Sequence, residues 1–253
     1  WQNFMEDTSR ANTGKKPLGT EEFEVGRNLA TTPGQVVYRN HLIELIQYTP
    51  TTETVKSVPL LVIPPWINKY YVLDLRETNS LIKWCVDQGL SVFVISWVNP
   101  DERLATKSFG DYMAEGALAA IKVVETQTGS GSVHALGYCL GGTLLATTLA
   151  WLKANGQEKH VKSATLLAAL TDFSDPGEIG VFIDDQQLEA LDNKMSQTGY
   201  LDGADMANSL YRMQQRNIRT DRRRKNLSDR VGQVTSALPD AIATLSSERV
   251  LQW

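Results

Sequence analysis

The strongest constraint in this sequence is a glycine-rich hexapeptide at residues 137–142, Gly-Tyr-Cys-Leu-Gly-Gly. It follows a short apolar run typical of a buried strand and precedes a helical pattern that extends from Thr143 to Ala154. A sharp turn between a strand and a helix strains the backbone at its centre, and a nearby β-carbon would clash there. Gly137 and Gly141 have no β-carbon. We therefore predict a strand–turn–helix unit with Cys139 at its apex.

Cys139 is the candidate nucleophile. The predicted helix begins just after it, so free N–H groups and the positive end of the helix dipole point at the sulfur and favour the thiolate, the reactive form. A Gly-x-Cys-x-Gly pattern is short, however, and a buried cysteine is more often an inert hydrophobic residue than a nucleophile. The context of strand and helix favours the nucleophile. The second cysteine, Cys85, lies in a helical pattern, and we interpret it as a core residue; no disulfide framework is predicted.

Other segments place this unit in a larger sheet. Short apolar runs predict strands at residues 58–63, 91–97 and 161–170, and helical spacing predicts helices at 79–88 and 109–126. Strands that alternate with helices indicate an α/β protein with a mostly parallel sheet and flanking helices. Together with the hexapeptide, this is the pattern of the α/β-hydrolase fold, with cysteine where serine is usual.

That fold also predicts an oxyanion hole. One backbone N–H comes from the residue after the nucleophile, here Leu140, and the other from the loop after an early strand. The strand at residues 58–63 stops at Pro64-Pro65. Ile67 is our candidate donor in the loop that follows. An ordinary Pro-Pro turn explains this loop equally well.

Four strings in the chain resemble the polyhydroxyalkanoate synthases, of the class I type. They are FEVGRNLATTPGQVVYRN at residues 23–40, PPWINKYYVLDL at 64–75, VISWVNPD at 94–101 and GYCLGGT at 137–143. The resemblance extends from Phe23 to about Asn208.

The resemblance implies an activity and partners. The family polymerises (R)-3-hydroxyacyl-CoA into a polyester and releases CoA, with Cys139 as the implied covalent nucleophile. A histidine would deprotonate the thiol and the incoming 3-hydroxyl, and an aspartate would assist that histidine. The resemblance also implies a cytoplasmic protein on polyester storage granules, a homodimer at full length, with no cofactor.

The expected aspartate and histidine are not found in this chain. His160, the one histidine after Cys139, falls in the turn between the predicted helix and the next strand, which lies at the opposite end of a parallel sheet. His41 and His134 precede the nucleophile, and we interpret both as structural. Asp172 ends a strand but does not match the family's aspartate. We therefore expect a synthase sequence that is truncated after the nucleophile half.

Composition divides the chain into three parts. We predict the end of an N-terminal synthase region at residues 1–57, the core at 58–208 and a divergent tail at 209–253. Residues 212–230 hold eight basic and two acidic residues, whereas the whole chain has a net charge of −4. Such a run is usually a solvated face or a disordered tail, so nucleic acid is not an expected partner. No membrane span and no metal site are predicted.

Three functions compete on these observations. The first is the acyltransferase that the resemblance implies. The second is a cysteine esterase or depolymerase, in which water replaces the 3-hydroxyl as acyl acceptor. The third is a catalytically inactive fragment that serves as a binding or dimerisation module, and the absence of a suitable histidine favours it.

Overall fold

The computed structural model describes residues 22–174 and 185–200, together with residues 5–6, 9–10, 13, 15 and 19–20. The predicted tail at 209–253 lies outside the described residues. Eight strands are present in the described part: β1 Gly34–Arg39, β2 Ile43–Tyr48, β3 Leu60–Ile63, β4 Asp74–Arg76, β5 Asn79–Ser80, β6 Val92–Trp97, β7 Val133–Tyr138 and β8 Val161–Leu167.

Six of these strands form one sheet in the order β1-β2-β6-β3-β7-β8, and β4 and β5 pair separately. Strands β6, β3, β7 and β8 are parallel to one another, whereas β2 runs antiparallel to both β6 and β1. The N-terminal region predicted at 1–57 therefore contributes two strands to the main sheet.

The helices follow the predicted alternation. They are α1 Leu81–Asp87, α2 Phe109–Asp111, a π-helical segment Tyr112–Leu118, α3 Ala119–Thr128, α4 Leu140–Ala154 and α5 Asp185–Thr198. Helix α1 begins later than predicted because Asn79 and Ser80 are extended and Ser80 caps it through the Lys83 N–H. Strand β8 ends at Leu167, before the predicted residue 170, because Ala168 has a positive φ. The mostly parallel sheet, the helices and the turn before α4 confirm the predicted α/β-hydrolase fold.

The core lies on both faces of the sheet. Alternate residues such as Phe93 and Ile95 of β6 pack with Leu144 of α4 on one face, and Val92 and Val94 pack with α1 on the other. Strands covered on both faces are almost continuously apolar, as β3 is throughout and β6 is except at Ser96. Cys85 of α1 is 1% exposed on the face of the sheet that α1 covers, which confirms its interpretation as a core residue.

Strand β8 is an edge strand of the described sheet. Its residues alternate between partly buried and exposed, and Leu166 is 42% exposed. Among the described residues, no helix is long and apolar enough to cross a membrane.

Candidate active site

Cys139 occupies the sharp turn between β7 and α4. Its φ is 54° and its ψ is −124°, a conformation that costs a residue with a β-carbon about 1–3 kcal/mol. Backbone hydrogen bonds hold it on both sides. The Cys139 N–H donates to the Leu167 carbonyl of β8 at 2.9 Å, and the Gly142 N–H donates to the Cys139 carbonyl at 2.8 Å. The predicted strand–turn–helix unit is present, with Cys139 at its apex.

The glycines around Cys139 are required by close backbone packing. A β-carbon at Gly137 would lie 2.5 Å from the Cα of Gly142. One at Gly141 would meet the Ile63 carbonyl oxygen at the end of β3 and would lie 2.8 Å from the Pro64 carbonyl carbon. Helix α4 therefore begins in direct contact with the end of β3.

Gly142 has a role that the spacing argument missed. A β-carbon there would collide with the β-carbon of Ala169, just after β8. The Thr143 hydroxyl also donates to the Leu170 carbonyl at 2.7 Å. The segment after β8 is thus packed on the first turn of α4, a contact that depends on tertiary structure and leaves no local sequence signal.

The Cys139 side chain is partly exposed and lies at the N-terminus of the 15-residue helix α4. Leu140 is the first residue of that helix. Backbone N–H groups at the very start of a helix have no partner earlier in the same helix. The helix therefore presents N–H groups and partial positive charge beside the sulfur. This geometry can stabilise a thiolate and an oxyanion that forms next to it.

The β3–β4 loop, residues 64–73, lies at the same end of the sheet. Its first residue is fixed because the Trp97 indole donates to the Pro64 carbonyl at 2.7 Å, in a buried contact. Ile67, partly buried, lies in the turn that the Asn68 N–H closes on the Pro65 carbonyl at 3.2 Å. The structure thus places the candidate donors Leu140 and Ile67 in the two segments that meet at Gly141. Their role as oxyanion donors stays a prediction.

Aromatic rings surround the start of this loop. Trp66 lies with its ring centroid 5.0 Å from that of Tyr112, 6.0 Å from Phe109 and 6.2 Å from Trp97. The rings connect the loop to α2 and the π-helical segment. Sequence reasoning did not single out this group, because its members come from three separate segments.

The three histidines of the chain each have a partner other than Cys139. The ring of His160 contacts Glu125 at 2.8 Å and lies before β8, at the end of the sheet opposite Cys139, as predicted. The ring of His134 contacts Ser163 at 2.6 Å, and burial followed by the Lys162 charge lowers its pKa.

The position of His41 was not foreseen. Strand β2 is antiparallel to β6, and Ile43 pairs with Trp97, so the turn that carries His41 lies at the same end of the sheet as Cys139. Three strand spacings separate β2 from β7, which is about 14 Å. The His41 ring contacts Glu115 at 2.7 Å, and Glu115 also accepts from Lys107. This histidine is therefore engaged away from the thiol.

Asp172 is exposed and accepts from the Ser174 N–H at 2.9 Å, a bond that together with the Ser174 hydroxyl lowers its pKa. No hydrogen bond joins it to a histidine within the described ranges. The described residues also contain no group of three or more His, Cys, Asp or Glu that could hold a metal ion. The site as described is a partly exposed cysteine beside the N-terminus of a helix.

Comparison with known proteins supports the resemblance that the sequence motifs indicate. Residues 1–85 match the family model of the poly-beta-hydroxybutyrate polymerase (PhaC) N-terminus. A poly(3-hydroxyalkanoate) polymerase from Methylorubrum extorquens is 54% identical over 187 residues, which are 74% of this chain and 31% of that protein. The chain is similar to polyhydroxyalkanoate polymerases over about three quarters of its length. The resemblance drawn from the four sequence strings is confirmed.

A second polymerase relative extends the comparison. The poly(3-hydroxyalkanoate) polymerase subunit PhaC of Rhizobium meliloti (strain 1021) is 51% identical over 190 residues, or 75% of this chain and 31% of that protein. The chain thus spans about a third of the length of the curated polymerases it matches. Among solved structures, a putative hydrolase from Agrobacterium vitis S4 matches 62% of this chain and 59% of the hydrolase chain, with 15% identity and a TM-score of 0.43. This similarity is too distant to bear on function.

Proposed function

We propose that this chain carries the nucleophile of a polyhydroxyalkanoate polymerase and that Cys139 accepts the acyl group of an (R)-3-hydroxyacyl-CoA. The observation that carries the proposal is the strained Cys139 turn between β7 and α4, in a chain 54% identical to a polymerase over its matched residues. The proposal includes the polyester granule surface as the cytoplasmic site of action and a homodimer as the state of the full-length protein.

The first chemical step is an acyl transfer between two sulfur atoms. The Cys139 thiolate attacks the thioester carbonyl carbon, and the carbonyl oxygen becomes an oxyanion that accepts from the Leu140 and Ile67 N–H groups. The carbon–sulfur bond to CoA then breaks, and CoA leaves as a thiolate that takes a proton from water. Because one thioester replaces another, the step is nearly balanced in free energy.

Chain growth needs a second step with a base. The 3-hydroxyl of the next monomer must lose its proton as its oxygen attacks the acyl–Cys139 thioester. All three histidines contact other residues, so we expect the chain of 253 residues to undergo one acylation and then stall. The same histidine arrangement is the observation that favours the alternative of an inactive binding or dimerisation module.

The experiment is to incubate the 253-residue chain with (R)-3-hydroxybutyryl-CoA and to measure free CoA and the mass of the protein. We expect at most one CoA per chain, an acyl adduct on Cys139 and no polymer. The adduct should be absent from Cys139→Ala. It should persist in Cys85→Ala, the matched control, because burial raises the pKa of the Cys85 thiol to about 12.

Other outcomes would select other functions. Sustained CoA release with free 3-hydroxybutyrate indicates a hydrolase, and sustained release with polymer indicates that a base lies within the chain, which makes His160→Ala the first substitution to examine. No CoA release and no adduct contradict the acyl-transfer proposal and leave the inactive module.

A further inference from the structure

Asp74 is a buried acidic residue outside the proposed chemistry. It is 1% exposed and begins β4, directly after the β3–β4 loop. Its Oδ1 atom accepts two hydroxyl hydrogen bonds, from Thr32 at 2.6 Å and from Ser80 at 2.6 Å. A buried carboxylate is costly unless it is hydrogen-bonded, so these bonds are strong determinants of where the Asp74 side chain lies.

These bonds join three separate segments. Thr32 belongs to the segment before β1, and the nearby Ala30 N–H donates to the Asp74 carbonyl at 3.1 Å although Ala30 has a φ of 52°. Ser80 is the N-cap of α1 and accepts from the Lys83 N–H at 2.8 Å. Asp74 thereby ties the end of the β3–β4 loop to the N-terminal segment and to the start of α1.

Two further buried atoms lie in the same region. The second Asp74 oxygen, Oδ2, and the Tyr48 hydroxyl have no hydrogen-bond partner among the described residues. Burial and then the Asp74 charge raise the pKa of Tyr48, so the phenol stays protonated. Among the described residues, the Asp74 side chain is therefore held by hydrogen bonds through Oδ1 alone.

We propose that Asp74 is a positioning residue that fixes the far end of the β3–β4 loop and so sets the place of the Ile67 N–H relative to Cys139. The near end of the loop is already fixed by the bond from Trp97 to the Pro64 carbonyl. A loop held at both ends keeps a backbone donor in one position. The inference rests on the proposed function, because it assigns Ile67 to the oxyanion hole.

The test uses Thr32→Val in the 253-residue chain, since removing Asp74 itself risks unfolding the protein. Valine keeps the shape of threonine but loses the hydroxyl that binds Asp74. The matched control is Thr51→Val, which removes an exposed Thr–Asp bond to Asp87 of 2.9 Å. Thr32→Ser restores a hydroxyl and serves as the conservative rescue.

The first readout is hydrogen–deuterium exchange of residues 64–73, measured by mass spectrometry. Hydrogen bonds to charged groups are strong, so we expect these amides to exchange about tenfold faster or more in Thr32→Val. Exchange in Thr51→Val and Thr32→Ser should match the wild type. Equal exchange in Thr32→Val and Thr51→Val would overturn the proposal.

The second readout separates this inference from the proposed function. We expect the rate of Cys139 acylation by (R)-3-hydroxybutyryl-CoA to fall about 10- to 10²-fold in Thr32→Val. Alkylation by iodoacetamide, which forms no oxyanion, should be unchanged. Equal loss of both rates would indicate a general structural role and contradict positioning. A wild type that is never acylated would contradict the proposed function, while the exchange measurement would still decide the role of Asp74 in holding the loop.

Discussion

The substitution Gly141→Ala tests the contact between the start of α4 and the end of β3. The added β-carbon would meet the Ile63 carbonyl oxygen and lie 2.8 Å from the carbonyl carbons of Ile63 and Pro64. Ordinary carbon–carbon contacts are about 3.5 Å or longer, so one backbone must move by about 0.7 Å or more. Backbone atoms cannot relieve this by changing rotamer.

The expected cost is at the upper end of the range for overpacking, about 3 kcal/mol in the free energy of unfolding. For a chain of this size, that corresponds to a fall in Tm of roughly 6–12 °C. The movement would also separate Leu140 from Ile67, and a displacement of this order can lower the rate of Cys139 acylation about 10²-fold.

The assays are denaturant unfolding and acylation of Cys139. Gly131→Ala is the matched control, because a β-carbon at Gly131 has nothing within 4 Å and should leave stability unchanged or slightly raised. If Gly141→Ala unfolds at the same denaturant concentration as Gly131→Ala, α4 and β3 do not approach each other this closely, and the backbone does not require glycine at residue 141.

Three other predictions concern single side chains. Trp97→Phe removes the buried hydrogen bond to the Pro64 carbonyl and should lower the free energy of unfolding by about 1–3 kcal/mol. An unchanged midpoint in a denaturant titration would contradict this prediction. A thiol reagent at pH 8 should modify Cys139 and spare Cys85 until the protein unfolds, as peptide mapping will show. The free energy of unfolding should fall as pH drops through about 6.5. In the unfolded chain His134 takes up a proton at its ordinary pKa, whereas in the folded protein its pKa is lowered and it stays neutral to lower pH. His134→Gln should flatten that part of the pH–stability curve, and an equally steep curve would refute the assignment.

The turn at Cys139 could be predicted because its determinants are local. Gly137, Cys139 and Gly141 are close in sequence, and the same close spacing creates the backbone contacts that the structure shows. The strands around the turn were also predictable, since strands buried on both faces are continuous apolar runs such as Leu60–Ile63.

Features that depend on distant segments could not be predicted. The direction of β2 places His41 at the end of the sheet that carries Cys139, and no local pattern encodes that direction. The π-helical turn at Tyr112–Leu118 reads as an ordinary helix in the sequence. Gly116 within it is explained only by the Trp97 ring, which a β-carbon would strike. Asp74 likewise lacks any signal of burial, because its partners Thr32 and Ser80 come from separate segments.

The hydrogen bond from Cys139 to Leu167 has a consequence for the order of folding. The strained backbone at Cys139 is supported by β3 on one side and β8 on the other, and both contacts are parallel pairings that close long loops and form slowly. During synthesis, the turn cannot be held until residue 167 has been made. We therefore expect the environment of Cys139 to form only once β7 has paired with β8. The rate at which its reactivity returns on refolding reports the completion of the sheet.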